Sequence, residues 1–393
     1  VINELMKVIA KERPVGTQEN SMLINYLEKL FADMDYSTRS LPFNCLVWSK
    51  DNSTVNISGQ KYDISPSPFS KPFSGAAQCI IVGSLDELKE ADSRGKILIL
   101  QNELTKTSMQ PKDYPFYYPD EHREIINVLD NSGAIAILTV TGKHPIYELN
   151  PFYFFEDGNF ILPSAYISVD VWKEIEPHLK GEDIKLHIGS RNDSATSYQL
   201  IARKAAKDAI RNIMVCAHMD SKYNTPAALD NAAGLALMIR TMDFLKDYKL
   251  DYNIEFIPFN SEEYFGATGE LIYLEDCKQR GNAPDLVINM DSPGHFGSKI
   301  AVSSYNVDPD ISRLLDSLSC NHQNISAGPE WYSGDHVIYS MKGVPSIAIA
   351  STDFYEGGLM YAHTQKDTLD TVDCNLLECG AKFLAEFLKS IIS

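Results

Sequence analysis

The stretch IMVCAHMDS, residues 213–221, opens on five apolar residues and ends on His218-Met219-Asp220-Ser221. A short apolar run closed by polar residues fits a strand buried on both faces, with its chemistry at the carboxyl end. Downstream the pattern alternates. A helical spacing of Ala233, Leu235, Ala236, Met238 and Ile239 leads into the strand YNIEFIPF (252–259), and DLVINMDS (285–292) reads as another strand. The helix ISRLLDSL (311–318), the strand VPSIAIAS (344–351) and a last helix from about Leu376 to Ile391 follow. Strands separated by helices of this length predict an α/β fold: a mixed, largely parallel sheet covered by helices on both faces. In such sheets ligands gather where strands end and loops begin.

Upstream the texture changes. Between about 45 and 194 lie short apolar runs, AAQCIIVG (76–83), GKILILQN (95–102), GAIAILTV (133–140) and SAYISV (164–169), punctuated by turn residues. These predict a separate β-rich domain. The aromatic runs 114–118 and 152–155 read as part of its core. Before it, Leu23, Ile24, Leu27, Leu30 and Phe31 recur at helical spacing after the turn Pro14-Val15-Gly16. The expected division is 1–44 with 195–393 as one domain and 45–194 as an insertion, and 393 residues suffice for two cores.

Thirty-five basic against 53 acidic residues give a net charge of −18, which repels nucleic-acid phosphates and anionic membrane surfaces. No apolar window reaches the roughly 20 residues of a membrane span. Nucleic-acid and membrane partners are therefore not expected, and the sequence leaves the oligomeric state open. Seven scattered cysteines without a CxxC pair argue against a disulfide framework and for a reduced, cytoplasmic setting. Because the first residue is Val, a secreted protein with its leader removed is the alternative.

Polar clusters close each predicted strand. His218 alone reads as a structural histidine, but Asp220 two residues on can hold the ring of a metal-bound histidine by its second nitrogen. Asp230 reads equally well as a helix N-cap. Glu262 and Glu263 are adjacent carboxylates at the end of a buried strand, which repel unless a cation or proton separates them. Asp291 and His363 are unremarkable singly. Together, His218, Asp230, Glu263, Asp291 and His363 offer the nitrogen and oxygen donors that two Zn²⁺ ions take, with positions left for water.

The motifs HMDS, LDNAAG, SEE, NMD and YAHTQKDT, in this order, resemble peptidase family M28, as does the opening RPVGTQEN. The resemblance implies the zinc exopeptidase fold over 1–44 and 195–393, and a protease-associated domain as the insertion. It also implies roles. His218 and Asp291 would hold one zinc, Glu263 and His363 the other, with Asp230 bridging, Asp220 behind His218, and Glu262 as general base toward a metal-bridging hydroxide. The implied reaction is removal of N-terminal residues from peptides by a di-zinc aminopeptidase. Tyr361, two residues before His363 where the family often has an adjacent Tyr, and Asp335 in SGDH are the candidate substrate contacts. A carboxypeptidase or dipeptidase of the same family, a glutaminyl-cyclase-like transferase and a catalytically silent binding protein are the alternatives.

Overall fold

Ile2, Leu5, Met6 and Ile9 are buried one turn apart, forming α1 (Ile2–Ile9). Thr17 then caps α2 (Gln18–Asp33) by accepting the Asn20 N–H at 3.2 Å, and Leu27 and Phe31 on its inner face are fully buried. Each such burial contributes about 1.5–3 kcal/mol. The computed structural model describes residues 1–142, 150–179, 181 and 183–391. It divides into two units, Val1–Cys45 with Thr196–Ser393, and Leu46–Ala195.

The first unit is built on β1 (Ser37–Lys50), β2 (Ser190–Lys204), β3 (Asn212–His218), β4 (Asn253–Phe259), β5 (Leu286–Met290), β6 (Ile300–Tyr305), β7 (Ile325–Ala327) and β8 (Ser346–Ser351), in the order β1-β2-β4-β3-β5-β8-β6-β7. Its middle four strands, β4-β3-β5-β8, are mutually parallel, while β2 against β4 and β6 against β8 run antiparallel. Alternation along the strands gives the sheet two apolar faces. Ile213, Val215, Ala217, Ile254, Phe256, Ile288 and Met290 join one core with α1, α2, α3 (Gly234–Leu245) and the last helix, Cys374–Ser390. Glu255 and Phe259 point the other way, where Tyr273 of α4 (Thr268–Arg280) packs edge-on to Phe259 and donates its hydroxyl to Glu255 at 2.9 Å. The predicted largely parallel sheet between two helical layers is the observed one. Its antiparallel flanks make the sheet mixed, as expected.

The second unit is also a mixed sheet. Its strand order is Phe73–Ala77, Ile184–Ile188, Ser53–Ile57, Gln60–Pro66, Ser164–Ser168, Ala136–Thr141, Ile97–Leu100 and Cys79–Val82. The first five pair antiparallel and the last four parallel, Ser164–Ser168 belonging to both sets. Parallel neighbours need crossovers. Helices Leu85–Glu90 and Asp120–Asn131 lie within those crossovers, so half of the insertion is α/β where the sequence reading expected a β-rich domain. Of the aromatic runs, Phe154 and Phe155 are in its core, whereas residues 114–118 contain no buried side chain. Among the described residues, no helix is long and apolar enough to cross a membrane.

Candidate metal centre

Four loops at the carboxyl ends of the parallel strands converge. β3 ends on His218, and its Nε2 lies 3.1 Å from Asp230 Oδ1 and 3.8 Å from Asp291 Oδ1. β4 ends just before Glu262-Glu263, and β5 just before Asp291. His363 follows β8 and adopts φ 61°, a left-handed conformation uncommon outside glycine. Its Nε2 lies 3.0 Å from Glu263 Oε1 and 3.4 Å from Asp230 Oδ2. The donors thus form two trios, His218–Asp230–Asp291 and Asp230–Glu263–His363, each with its ligand atoms within 4.8 Å of one another and with Asp230 in both.

Asp230 earns its position from its neighbours. It sits where the chain leaves helical geometry before α3, and Asn231, not Asp230, caps that helix by accepting the Gly234 N–H at 2.9 Å. A Cβ on Gly234 would stand 2.2 Å from Asn231 Oδ1 and 2.6 Å from the Met290 carbonyl, so only glycine fits. Asp367 accepts the N–H groups of Leu229 and Asp230 at 2.7 and 3.0 Å. Arg13, fully buried, donates to the carbonyls of Met219, Lys11, Pro226 and Ala227 at 2.6–3.2 Å and so clasps the loop that joins His218 to Asp230.

The electrostatics show what the site lacks internally. For His218 and His363 burial opposes the charged form, yet the surrounding carboxylates outweigh it, holding His218 well above its usual range and His363 up at about 10. Burial lifts Glu262 well above the carboxylate range, His218 opposing and Glu263, Asp291 and Asp230 adding to the rise. Burial would lift Glu263 too, but His363 and Lys222 outweigh it and hold it down at about 2. Four buried carboxylates thus face two imidazoles, an excess of negative charge that divalent cations would neutralise. Nitrogen and oxygen donors in two overlapping trios suit zinc.

The remaining predicted residues are placed as follows. Asp220 directs Oδ2 to the Glu263 N–H at 3.1 Å, while its Oδ1 stays 3.7 Å from His218 Nδ1, beyond hydrogen-bond reach. It therefore ties the β3 and β4 loops together as well as standing behind the histidine. Tyr361 lies with its ring 5.8 Å from that of His295. Asp335 is 3% exposed and its Oδ2 has no hydrogen-bond partner, while Gly334 before it runs close to Asp291. Sequence reasoning passed over Lys222, whose Nζ donates to the Glu263 carbonyl at 2.8 Å and stands 3.3 Å from its Oε2. It gave Arg13 and Asp367 no role beyond membership of a motif.

Residues 199–388 match the family described as peptidase family M28. That stretch contains all five donors and Glu262. Aminopeptidase YwaD of Bacillus subtilis is 23% identical over 298 residues, 73% of this chain and 60% of the relative, and leucine aminopeptidase 2 of Trichophyton rubrum is 25% identical over 177 residues, 42% and 35%. This chain spans 60% or less of the length of these curated relatives. Among solved structures, an aminopeptidase from Aneurinibacillus sp. strain AM-1 superposes with a TM-score of 0.78 at 19% identity, covering 98% of this chain and 92% of the other. A zinc aminopeptidase from Bacillus subtilis gives 0.75 at 19%, covering 98% and 93%. This chain shares their fold.

Proposed function

We propose that the chain is a di-zinc aminopeptidase that removes N-terminal residues from peptides. The observation that carries this reading is the pair of donor trios sharing Asp230, with Glu262 next to Glu263 but outside both. His218 and Asp291 would hold one ion and Glu263 and His363 the other. Bound there, zinc supplies Lewis acidity toward the scissile carbonyl and makes a water acidic enough to attack at neutral pH.

The chain's own groups do the rest. Glu262, ionised beside that positive charge, takes the proton of the attacking water and returns it to the leaving amine. Asp220 and Asp367 fix the loops that carry Glu263 and Asp230, so the donors are held before substrate arrives. The acidic surroundings favour the α-ammonium group of a peptide over its terminal carboxylate. Residues 46–195 contribute no donor to either trio.

The test uses a peptide with a free N-terminus and its N-acetylated twin, each incubated with the zinc-supplemented protein and followed by mass spectrometry. Stepwise loss from the free N-terminus, with the acetylated peptide untouched, is expected. Shortening from the C-terminus would replace this reading with a carboxypeptidase.

A further inference from the structure

The two trios differ in one respect: a lysine touches only one of them. Lys222, on the loop after β3, donates to the Glu263 carbonyl at 2.8 Å and lies 3.3 Å from Glu263 Oε2. Its side chain is 16% exposed, so this charge is only partly screened by solvent. The pairing divides the labour of the Glu263 carboxylate. Oε2 is engaged by the ammonium, and Oε1, 3.0 Å from His363 Nε2, is the oxygen facing the other donors. Among the described residues, no lysine ion pair is formed with His218, Asp230 or Asp291. Asp291 Oδ1 accepts from the Ser292 hydroxyl at 3.2 Å, and the charged groups acting most strongly on Asp291 are His218, Asp230 and Glu263. The buried cation Arg13 acts through space first on Asp220 and Asp367, and then on Asp230 and Glu263.

A fixed positive charge beside a carboxylate ligand opposes a divalent cation at that ligand and removes one oxygen from its coordination. We infer that Lys222 makes the two metal positions unequal: it fixes Glu263 as a one-oxygen ligand and renders the Glu263–His363 position the weaker, exchangeable one, leaving the His218–Asp291 position to fill first. The inference rests on the di-zinc reading above and adds a tuning residue to it. Lys222 acts through Glu263. Its consequence is an enzyme whose second ion follows the free zinc concentration over a range where the first ion is already bound.

The experiment is a zinc titration of the metal-stripped chain of residues 1–393 against a chromophoric chelator, read as affinity and stoichiometry without substrate. The wild type is expected to bind two ions with affinities at least tenfold apart, about 1.4 kcal/mol. Lys222→Met should close that gap at least tenfold by tightening the weaker class, with the tighter class unchanged within threefold. Lys222→Arg, which keeps the charge, should retain the gap. His363→Ala should lose the weaker class alone. If Lys222→Met does not fold by circular dichroism, Lys222→Gln carries the same expectation. A gap unaltered by removing the charge, or loss of the tighter class in His363→Ala, overturns the role of Lys222 while the di-zinc reading stands. A wild type that takes up one ion or none at any zinc concentration overturns the di-zinc reading itself.

Discussion

Asp367 accepts the backbone N–H of Asp230 at 3.0 Å across 137 residues of chain, and its second oxygen takes the N–H of Leu229 at 2.7 Å. The residue shared by both donor trios is thus oriented through its backbone by a buried carboxylate. Asp367→Asn keeps the shape but turns an NH₂ group toward one of two N–H donors. Leaving such a donor unsatisfied costs about 1–3 kcal/mol. The variant should unfold at lower denaturant concentration and bind zinc at least tenfold more weakly, as chelator competition and denaturant melts will show. Unchanged zinc affinity would remove Asp367 from the positioning scheme.

Glu262 and Glu263 are adjacent but differently placed, Glu263 3.0 Å from His363 Nε2 and Glu262 in neither trio. Glu262→Gln should keep both ions and lose turnover by roughly 10² to 10⁴-fold, the range of a general base. Glu263→Gln should instead lose one ion, with activity partly restored by added zinc. Metal content beside kcat separates the two, and interchange of the outcomes would interchange the roles.

Arg13 holds four carbonyl oxygens with one buried guanidinium. Hydrogen bonds to a charged group each contribute about 1.5–3 kcal/mol, and orphaned carbonyls add to the loss. Arg13→Met should destabilise the fold by several kcal/mol, on the order of 3–5 as for other broken buried charged networks. Arg13→Lys, whose three donors cannot span the same carbonyls in one plane, should fall between the two in denaturant melts.

Asp157, in the second unit, is pushed up to about 6 by burial, against the N–H groups of Lys112, Asn159 and Phe160. An unfolded carboxyl titrates near 4. The fold therefore favours the protonated form, and that contribution, up to about 3 kcal/mol, is complete below about pH 4 and is lost as pH rises through about 6. Amide exchange in Ile97–Leu100 and Ala136–Thr141, corrected for intrinsic rates, should show protection falling between pH 5 and 8. In Asp157→Asn this fall should be absent.

What the sequence revealed, and what it hid, follows from the range of the interactions. The four parallel strands were legible because each is a short apolar run closed by a polar cluster, as in IMVCAH and DLVINMD. Strand direction is a tertiary property, so the antiparallel attachment of Ile300–Tyr305 to Ser346–Ser351 left no local mark. In the insertion the apolar strands outshone the amphipathic helix Asp120–Asn131, whose inner face is only Ile125, Ile126 and Leu129. The candidate donors stood out because histidines and carboxylates at strand ends are conspicuous. Lys222 and Arg13 did not, since a lone cation has no periodicity and the partners of Arg13 at Met219, Pro226 and Ala227 lie 206–214 residues away. Asp220 was noticed for His218, but its hydrogen bond goes to Glu263, 43 positions on.

Arg13 grips the His218–Asp230 loop from near one end of the chain, and His363 and Asp367 close it from near the other. A nascent chain that has emerged through residue 360 already carries four of the five donors, yet has neither the fifth nor the carboxylate that orients Asp230. In N-to-C order, residues 363–367 therefore complete the donor set. Up to that point the pair of trios stays incomplete, because contacts of very high sequence separation close it. Termination before His363 would leave the Asp230–Glu263–His363 trio without its imidazole.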